Sequence, residues 1–363
     1  MNLEDIAKLA EVSRSTVSRV VNNDPRVSDG VRTRVLRIVA ETNYHPNAAA
    51  RSLATRHNRI FGLLIPQAMN SIFGDPWFPH MIQGCMDGCR NADYSLMLLM
   101  ESSTDHAAVN RLIERTVRAR HLDGLIISSS LKDDVLSHRL ARENFPSVVI
   151  GRDTDERFSF VDIDNRAAAR IATEHLLSHG YRRLAVISGP STMVTAEDRR
   201  LGFLDAVEQS GLDPSVAQSR FGNYQEREAF LQATDLLSSS TPPEAIFVTS
   251  DSMAWGVLHA ARTLQRNIPN DVAVIGFDGI QQERNQREGL SSIRQPARRL
   301  GERAVEMLVD LVSNPGQSPV QEWLPIDLVL DSSCGCPALP RVYGDREFTT
   351  PYALPIASQV AAL

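Results

Sequence analysis

What this sequence lacks narrows it first. No stretch of about 18 consecutive apolar residues occurs, so no membrane-spanning helix is expected. No charged-then-apolar leader opens the chain, so export is not expected and a cytoplasmic, nucleoid-associated location is. Cysteine is scarce, limited to Cys85, Cys89, Cys334 and Cys336. The first pair stands one helical turn apart and should pack as small apolar side chains. Cys334-Gly335-Cys336 is a faint metal or redox hint with no His or Cys cluster alongside it in the sequence. Reduced, unliganded thiols and no metal site are therefore expected. A Gly-rich phosphate loop, a nucleophile elbow and metal-ligand spacing are also missing, so no catalytic residue and no cofactor is expected. The tail 336–363 carries Pro337, Pro340, Pro351 and Pro355 without a sustained leucine heptad, which favours a loosely docked tail over a coiled coil.

What is present divides unevenly. A chain of 363 residues is longer than one compact core usually carries, so two or three domains are expected. Residues 1–60 hold ten Lys or Arg against six Asp or Glu, a balance of +4, which leaves −10 for the remainder of a chain whose net charge is −6. A basic head on an acidic body fits contact with a polyanion at one end.

Within that head, Val12 to Asn22 reads as a helix with two faces. Val17, Val20 and Val21 lie on one side; Arg14, Ser15, Ser18, Arg19 and Asn22 lie on the other. Ser13 stands where a helix takes an N-cap. Leu3 to Ala10 reads as a preceding helix, with small Ala7 and Ala10 where two helices must approach, and this is helix-turn-helix spacing. Arginine pairs in bidentate fashion with guanine, and Ser or Asn takes other base edges or phosphate, so the polar face suits a DNA major groove. Ser28 can cap a third helix carrying Val31, Val35, Ile38 and Val39, which Tyr44-His45-Pro46 ends. Asn47 can cap the alanine-rich stretch that follows. That stretch is about two turns long and marginal unaided, and its exposed Leu53 suits a minor-groove wedge.

From Ile60 strands and helices alternate. Strands are expected at Ile60–Ile65, Ser95–Leu99, Gly124–Ser128, Ser147–Ile150, Phe160–Ile163, Leu184–Ser188, Ala245–Thr249 and Val272–Phe277. Helices are expected near 77–91, 106–119, 132–143, 165–179, 196–210, 225–238, 252–266 and 297–313. Apolar strands alternating with amphipathic helices imply parallel α/β sheets, here in two doubly wound subdomains whose facing strand ends form a cleft.

These motifs resemble the LacI/GalR family of bacterial transcriptional regulators. The headpiece signature at 12–22, Val27-Ser28, Asn43 to Asn47, and Ala50 with Leu53 carry the likeness first. In the body it continues through Val161 to Asn165, His175-Leu176, His179-Gly180-Tyr181, Arg199 with Gly202-Phe203, Asp251 to Ala254, Asp271 to Asp278 and Gln295-Pro296. The resemblance implies an all-α helix-turn-helix headpiece at 1–46, a hinge at 47–58 and a periplasmic-binding-protein-like body at 59–335. Lobe 1 is then about 59–158 and 291–319, and lobe 2 about 159–290 and 320–335. It implies a homodimer on a near-palindromic double-stranded operator, with Arg14, Ser15 and Arg19 reading bases. Ser13, Thr16 and Asn22 would touch phosphate and Leu53 would enter the minor groove.

It also implies a small effector, expected to be a sugar, held by Arg199 and Asp278 with Trp77, Phe78, Thr195, Tyr224 and Ser250. Ser250, Gly151 and Gly279 depart from the longer polar residues many members carry, which leaves a longer or non-sugar effector open. A repressor under effector control is the expected function. A carbohydrate-binding protein or enzyme on the same α/β body is the alternative.

Overall fold

The computed structural model describes residues 2–21, 24–44, 57–65, 74–100, 106–128, 131–132, 135–152, 157–213, 217–280 and 289–337. Asn22, Asn47, Leu53 and nearly all of the proline-bearing tail lie outside them. The chain divides into two units, Met1–Arg59 and Ile60–Leu363.

The first unit holds three helices, α1 (Leu3–Leu9), α2 (Arg14–Val21) and α3 (Asp29–Glu41). Asn2 opens α1 with a reciprocal capping box, its side chain taking the Asp5 amide while Asp5 takes its own. Ile6, Ala7, Ala10, Val17, Val20, Val35, Ile38 and Tyr44 close a small core between the three helices. Ser28 occupies the N-cap position of α3 but makes no side-chain cap bond, so its hydroxyl does not play the part its position suggested.

The second unit is built on two six-stranded sheets. In the first, β1 (Ile60–Ile65), β2 (Ser95–Met100), β3 (Gly124–Ser128), β4 (Ser147–Ile150), β5 (Ser159–Asp162) and β11 (Gln321–Trp323) run parallel in the order β11-β5-β4-β3-β1-β2. The second contains β6 (Leu184–Ser188), β7 (Gln218–Phe221), β8 (Ala245–Val248), β9 (Ala273–Asp278), β10 (Ser291–Arg294) and β12 (Asp327–Val329). Its order is β12-β10-β9-β8-β6-β7, and only β12 is antiparallel to its neighbour.

Helices α4 (Trp77–Asn91), α5 (His106–Ile113), α6 (Val135–Glu143) and α11 (Ala297–Ser313) serve the first lobe. Helices α7 (Asn165–Ser178), α8 (Val194–Gln209), α9 (Glu226–Leu237) and α10 (Asp251–Thr263) serve the second. Separate apolar clusters fill both faces of each sheet. Central strands buried on both sides read as continuous apolar runs for that reason. Cys85 and Cys89 are buried in the first lobe, as expected of small apolar side chains, and burial pushes both thiols up, Cys89 to about 11.

The lobe boundaries differ from those expected. Ser159–Asp162 pairs with β4 and so belongs to the first sheet, not the second lobe. Ser291–Arg294 pairs with β9 in the second sheet, and Gln321–Trp323 returns to the first. The chain therefore crosses between lobes three times, after β5, after β10 and after β11. The expected boundaries at 158/159, 290/291 and 319/320 fall at the starts of these three strands, so each strand was assigned to the lobe the chain enters next rather than to the one it completes.

Candidate functional site

Among the described residues, the side chains expected to bear function gather in two places. On the headpiece, α2 turns its valines inward: Val17 and Val20 are buried, while Ser13, Arg14, Ser15 and Arg19 are exposed and Thr16 and Ser18 half-buried. Ser13 Oγ accepts from the Thr16 amide at 3.1 Å, which satisfies one of the free donors at the helix start. The same oxygen lies 2.7 Å from Ser15 Oγ and 2.8 Å from Thr16 Oγ1, so three hydroxyls share one edge. Arg14 meets Glu4 at 3.8 Å with both side chains about two-thirds exposed, a contact too solvated to hold the guanidinium. The face thus presents a row of hydroxyls and two cationic side chains.

The second place is a cleft between the two sheets, with about 660 Å³ of empty space, part of it open to solvent. Trp77, Phe78, Thr195, Arg199, Tyr224, Ser250 and Asp278, all seven residues expected there, line it. Asp75, Ile150, Gly151, Asp162, Met193 and Gln295 line it as well. Ile150, Asp162 and Asp278 end β4, β5 and β9, and Ser250 follows β8. The strands' carboxyl ends therefore form the walls, where open α/β sheets place ligands. Asp162 and Gln295 also sit at two of the three crossings between lobes, so the cleft floor and the hinge share residues.

Arg199 organises the floor. It does not pair with its sequence neighbours Glu197 and Asp198, because Arg199 is buried and those carboxylates pair with Arg200 and Arg152. Its guanidinium donates to Asn165 Oδ1 and to the Thr249 carbonyl, both at 2.8 Å, and reaches Asp278 Oδ1 at 3.5 Å. Its other face lies 3.8 Å from the Phe277 ring centroid, a cation–π contact. Gln295 Nε2 donates to Asp278 Oδ1 at 2.6 Å. Asp162 accepts from the amides of Arg152 and Ile163 and from Asn165 Nδ2.

Three carboxylates share this one guanidinium, and desolvation dominates all three. Burial lifts Asp162 to about 6 and Asp278 to about 7, with Arg199 pulling back on each. Asp75 is also raised by burial while it caps the start of α4 through the Trp77 amide. Such a floor resists further negative charge. Above it, Trp77 and Phe78 meet edge to face, and Tyr224 contributes a third ring. Trp77 Nε1 is buried without a partner among the described residues, a donor in the aromatic wall.

The departures from the expected pattern have local causes. Ser250 caps α10 by accepting from the Met253 amide, so its oxygen is partly committed to structure. Gly279, with φ +64°, does not line the cleft; a Cβ there would stand 2.4 Å from the Arg294 Cα. Gly151, with φ +109°, does line it.

Sequence reasoning missed Asp75, Ile150, Asp162, Met193 and Gln295. The rule that ligands sit beyond strand carboxyl ends could have found Ile150 and Asp162, whose strand was already placed. Nothing local marks Asp75 or Met193.

Residues 2–47 match bacterial regulatory proteins of the lacI family, and residues 173–334 match a periplasmic binding protein-like domain. The chain is 30% identical over 335 residues to the HTH-type transcriptional regulator CelR of Thermobifida fusca, covering 91% of this chain and 97% of that one. It is 30% identical over 320 residues to the ribose operon repressor of Escherichia coli K12, covering 86% and 93%. Among solved structures, the CelR–cellobiose complex superposes with a TM-score of 0.70 at 29% identity, covering 92% of this chain and 99% of that one. The lac repressor dimer bound to operator and the anti-inducer ONPF superposes with a TM-score of 0.80 at 26% identity and the same coverage.

Proposed function

The chain belongs to the lacI family of bacterial regulatory proteins, and on that footing we propose that it is a homodimeric repressor whose operator affinity is set by a neutral sugar bound between its lobes. The observation that carries the sugar is the cleft: one guanidinium among three raised carboxylates, beneath aromatic faces. Asp278 and Arg199 can fork onto adjacent hydroxyls, and the rings can pack on the C–H face of a pyranose. A sugar phosphate would bring charge of the wrong sign to this floor. Gly151 lines the cleft without a side chain, which suits a ligand longer than a monosaccharide, and the related CelR is described in complex with cellobiose.

On DNA, Arg14, Ser15 and Arg19 read base edges in the major groove while Ser13, Thr16, Ser18 and Asn22 position the helix on phosphate. Asn47 and Leu53 belong to the hinge and its minor-groove contact. Dimerisation is supported by the apolar side chains Met97, Leu98 and Met100, exposed on the edge strand β2. Effector binding shifts the lobes between two arrangements and changes DNA affinity only by its differential affinity for them. The protein carries out no chemistry on the sugar.

A thermal-shift series with cellobiose, ribose, glucose and glucose 6-phosphate tests the effector class. A neutral sugar raises the melting temperature by mass action, the phosphate does not, and the sugar is recovered unchanged. Stabilisation by the phosphate alone, or turnover of the sugar, would overturn the reading.

A further inference from the structure

The expectation that Cys334 and Cys336 stand without histidine neighbours does not survive folding. His175 and His179 lie on and just after the last turn of α7, four residues apart, a spacing that stacks two side chains on one helix face. Their rings stand 4.8 Å apart, centroid to centroid. The segment after β12 passes beneath them. A 3-10 turn over Ser332–Cys334, capped by Asp331, buries Cys334, and Gly335 then turns the chain back with φ +101°. That reversal returns Cys336 to the same face. A Cβ at position 335 would meet Tyr181 Oη at 3.0 Å and His179 Nδ1 at 3.4 Å, so glycine is suited there by space as well as by conformation.

We propose that His175, His179, Cys334 and Cys336 form a closed four-ligand site for a zinc ion. His175 Nε2 lies 3.2 Å from Cys334 Sγ and 3.6 Å from Cys336 Sγ, and His179 Nε2 lies 3.4 Å from Cys336 Sγ. All four ligand atoms fall within 4.8 Å of one another. Tetrahedral zinc, with thiolates at about 2.3 Å and imidazole nitrogens at about 2.0–2.1 Å, sets ligand–ligand edges of about 3.3–3.8 Å. Hydrogen bonding alone accounts poorly for this convergence. His175 Nε2 faces both sulfurs and Cys336 Sγ faces both imidazoles, yet one ring proton or lone pair serves one sulfur at a time. A cation at the common centre serves all four.

The donor set names the metal. Two sulfurs and two imidazoles, with no carboxylate in the group, reject magnesium and calcium and suit zinc. Two thiolates neutralise the dication, which suits a site with a buried Cys334 and a half-buried Cys336. Ser291 Oγ lies 3.1 Å from Cys334 Sγ and can donate to a thiolate, the outer support that metal sites commonly carry. With four protein ligands no position is open for chemistry. The ion ties α7 to the segment that follows β12, some 155 residues away in sequence, and steadies the second lobe.

Metal analysis of the full-length protein, purified under reducing conditions with zinc and then freed of loosely held metal, is expected to find one zinc per chain. Replacement by cobalt(II) is expected to give the intense visible bands of tetrahedral thiolate ligation. Cys336 is half-buried and His179 exposed, so Cys336→Ser and His179→Leu should fold, as circular dichroism would verify, and each should lose the zinc and the cobalt bands. A reduced, folded protein that takes up neither metal overturns the proposal. So does uptake that both variants retain, or a Cys334–Cys336 disulfide whose reduction restores no metal binding.

Discussion

The headpiece and the body solve recognition in opposite directions. The headpiece keeps a small core of valine, isoleucine and alanine and turns Arg14, Ser15 and Arg19 out into water. The body buries its charge: Arg199, Asp162 and Asp278 lie in the fold and face a cleft. A groove of DNA brings its own dense charge, so exposed cations await it at little cost. A neutral sugar brings only hydroxyls, and buried, already oriented charges grip those far more strongly than solvated ones. The headpiece should therefore tolerate loss of its functional side chains, whereas the body should not.

The sharpest way to break this comparison is Arg199→Met. Removing one member of a buried charge cluster costs about 3–5 kcal/mol, so the body's melting temperature should fall and its sugar response vanish. A variant that melts like the wild type would show that the guanidinium is not the organising group. The same cluster can be read without mutation. Asp162 and Asp278 sit at about 6 and about 7 against an unperturbed 3.8, so the folded body holds more protons than the unfolded chain between those values. Their favourable contribution is therefore complete below about pH 4 and fades as pH rises through 6 to 7. Asp278→Asn should flatten that slope in a melting-temperature series, and an unchanged slope would count against the assignment.

On the other side, Arg14→Ala should lower operator affinity by about 1–3 kcal/mol and relax base choice at one position of each half-site. Titration of variant operators checks this, and the melting curve should not move. An equal loss on every sequence would make Arg14 a phosphate contact. Smaller still, Trp77→Phe keeps an aromatic ring and removes the Nε1 donor, which has no partner among the described residues. It should cost about 1 kcal/mol in sugar affinity by calorimetry and little in stability.

The smallest effect belongs to Arg152, which leaves β4 in the first lobe and pairs in bidentate fashion with Asp198 on α8 of the second, at 3.0–3.1 Å. The pair is partly exposed, so Arg152→Ala should change sugar affinity by about 0.2–1 kcal/mol. If the bond bridges lobes as a latch, the change should appear chiefly in dissociation rate.

The two regions also differed in how far they could be read from residues alone. The headpiece was legible because its information is local: the valine stripe of α2, the Ser13 cap and the small residues of α1 lie within twenty positions. The parallel strands were legible because burial on both faces leaves continuous apolar runs. β7 carries Gln218, Ser219 and Arg220, and β11 and β12 are three residues each, so neither length nor hydropathy marked them. The cleft residues Trp77, Thr195 and Tyr224 came from family likeness rather than from pattern. Asp75 and Gln295 meet Asp278 only through three-dimensional closure. The His175–Cys336 cluster was invisible for the same reason, since each half alone is an ordinary helix end or an ordinary turn.

The central claim is that the outward face and the inward cleft are coupled. The most direct measurement is operator affinity, by fluorescence anisotropy on full-length protein. It would be taken across a titration of cellobiose, or of whichever neutral sugar of the series raises the melting temperature, for wild type and for Trp77→Phe. The account predicts that operator affinity changes with sugar in both, with the variant's midpoint moved to higher sugar concentration and its sugar-free affinity unchanged. Operator binding indifferent to a sugar that demonstrably occupies the cleft would contradict it.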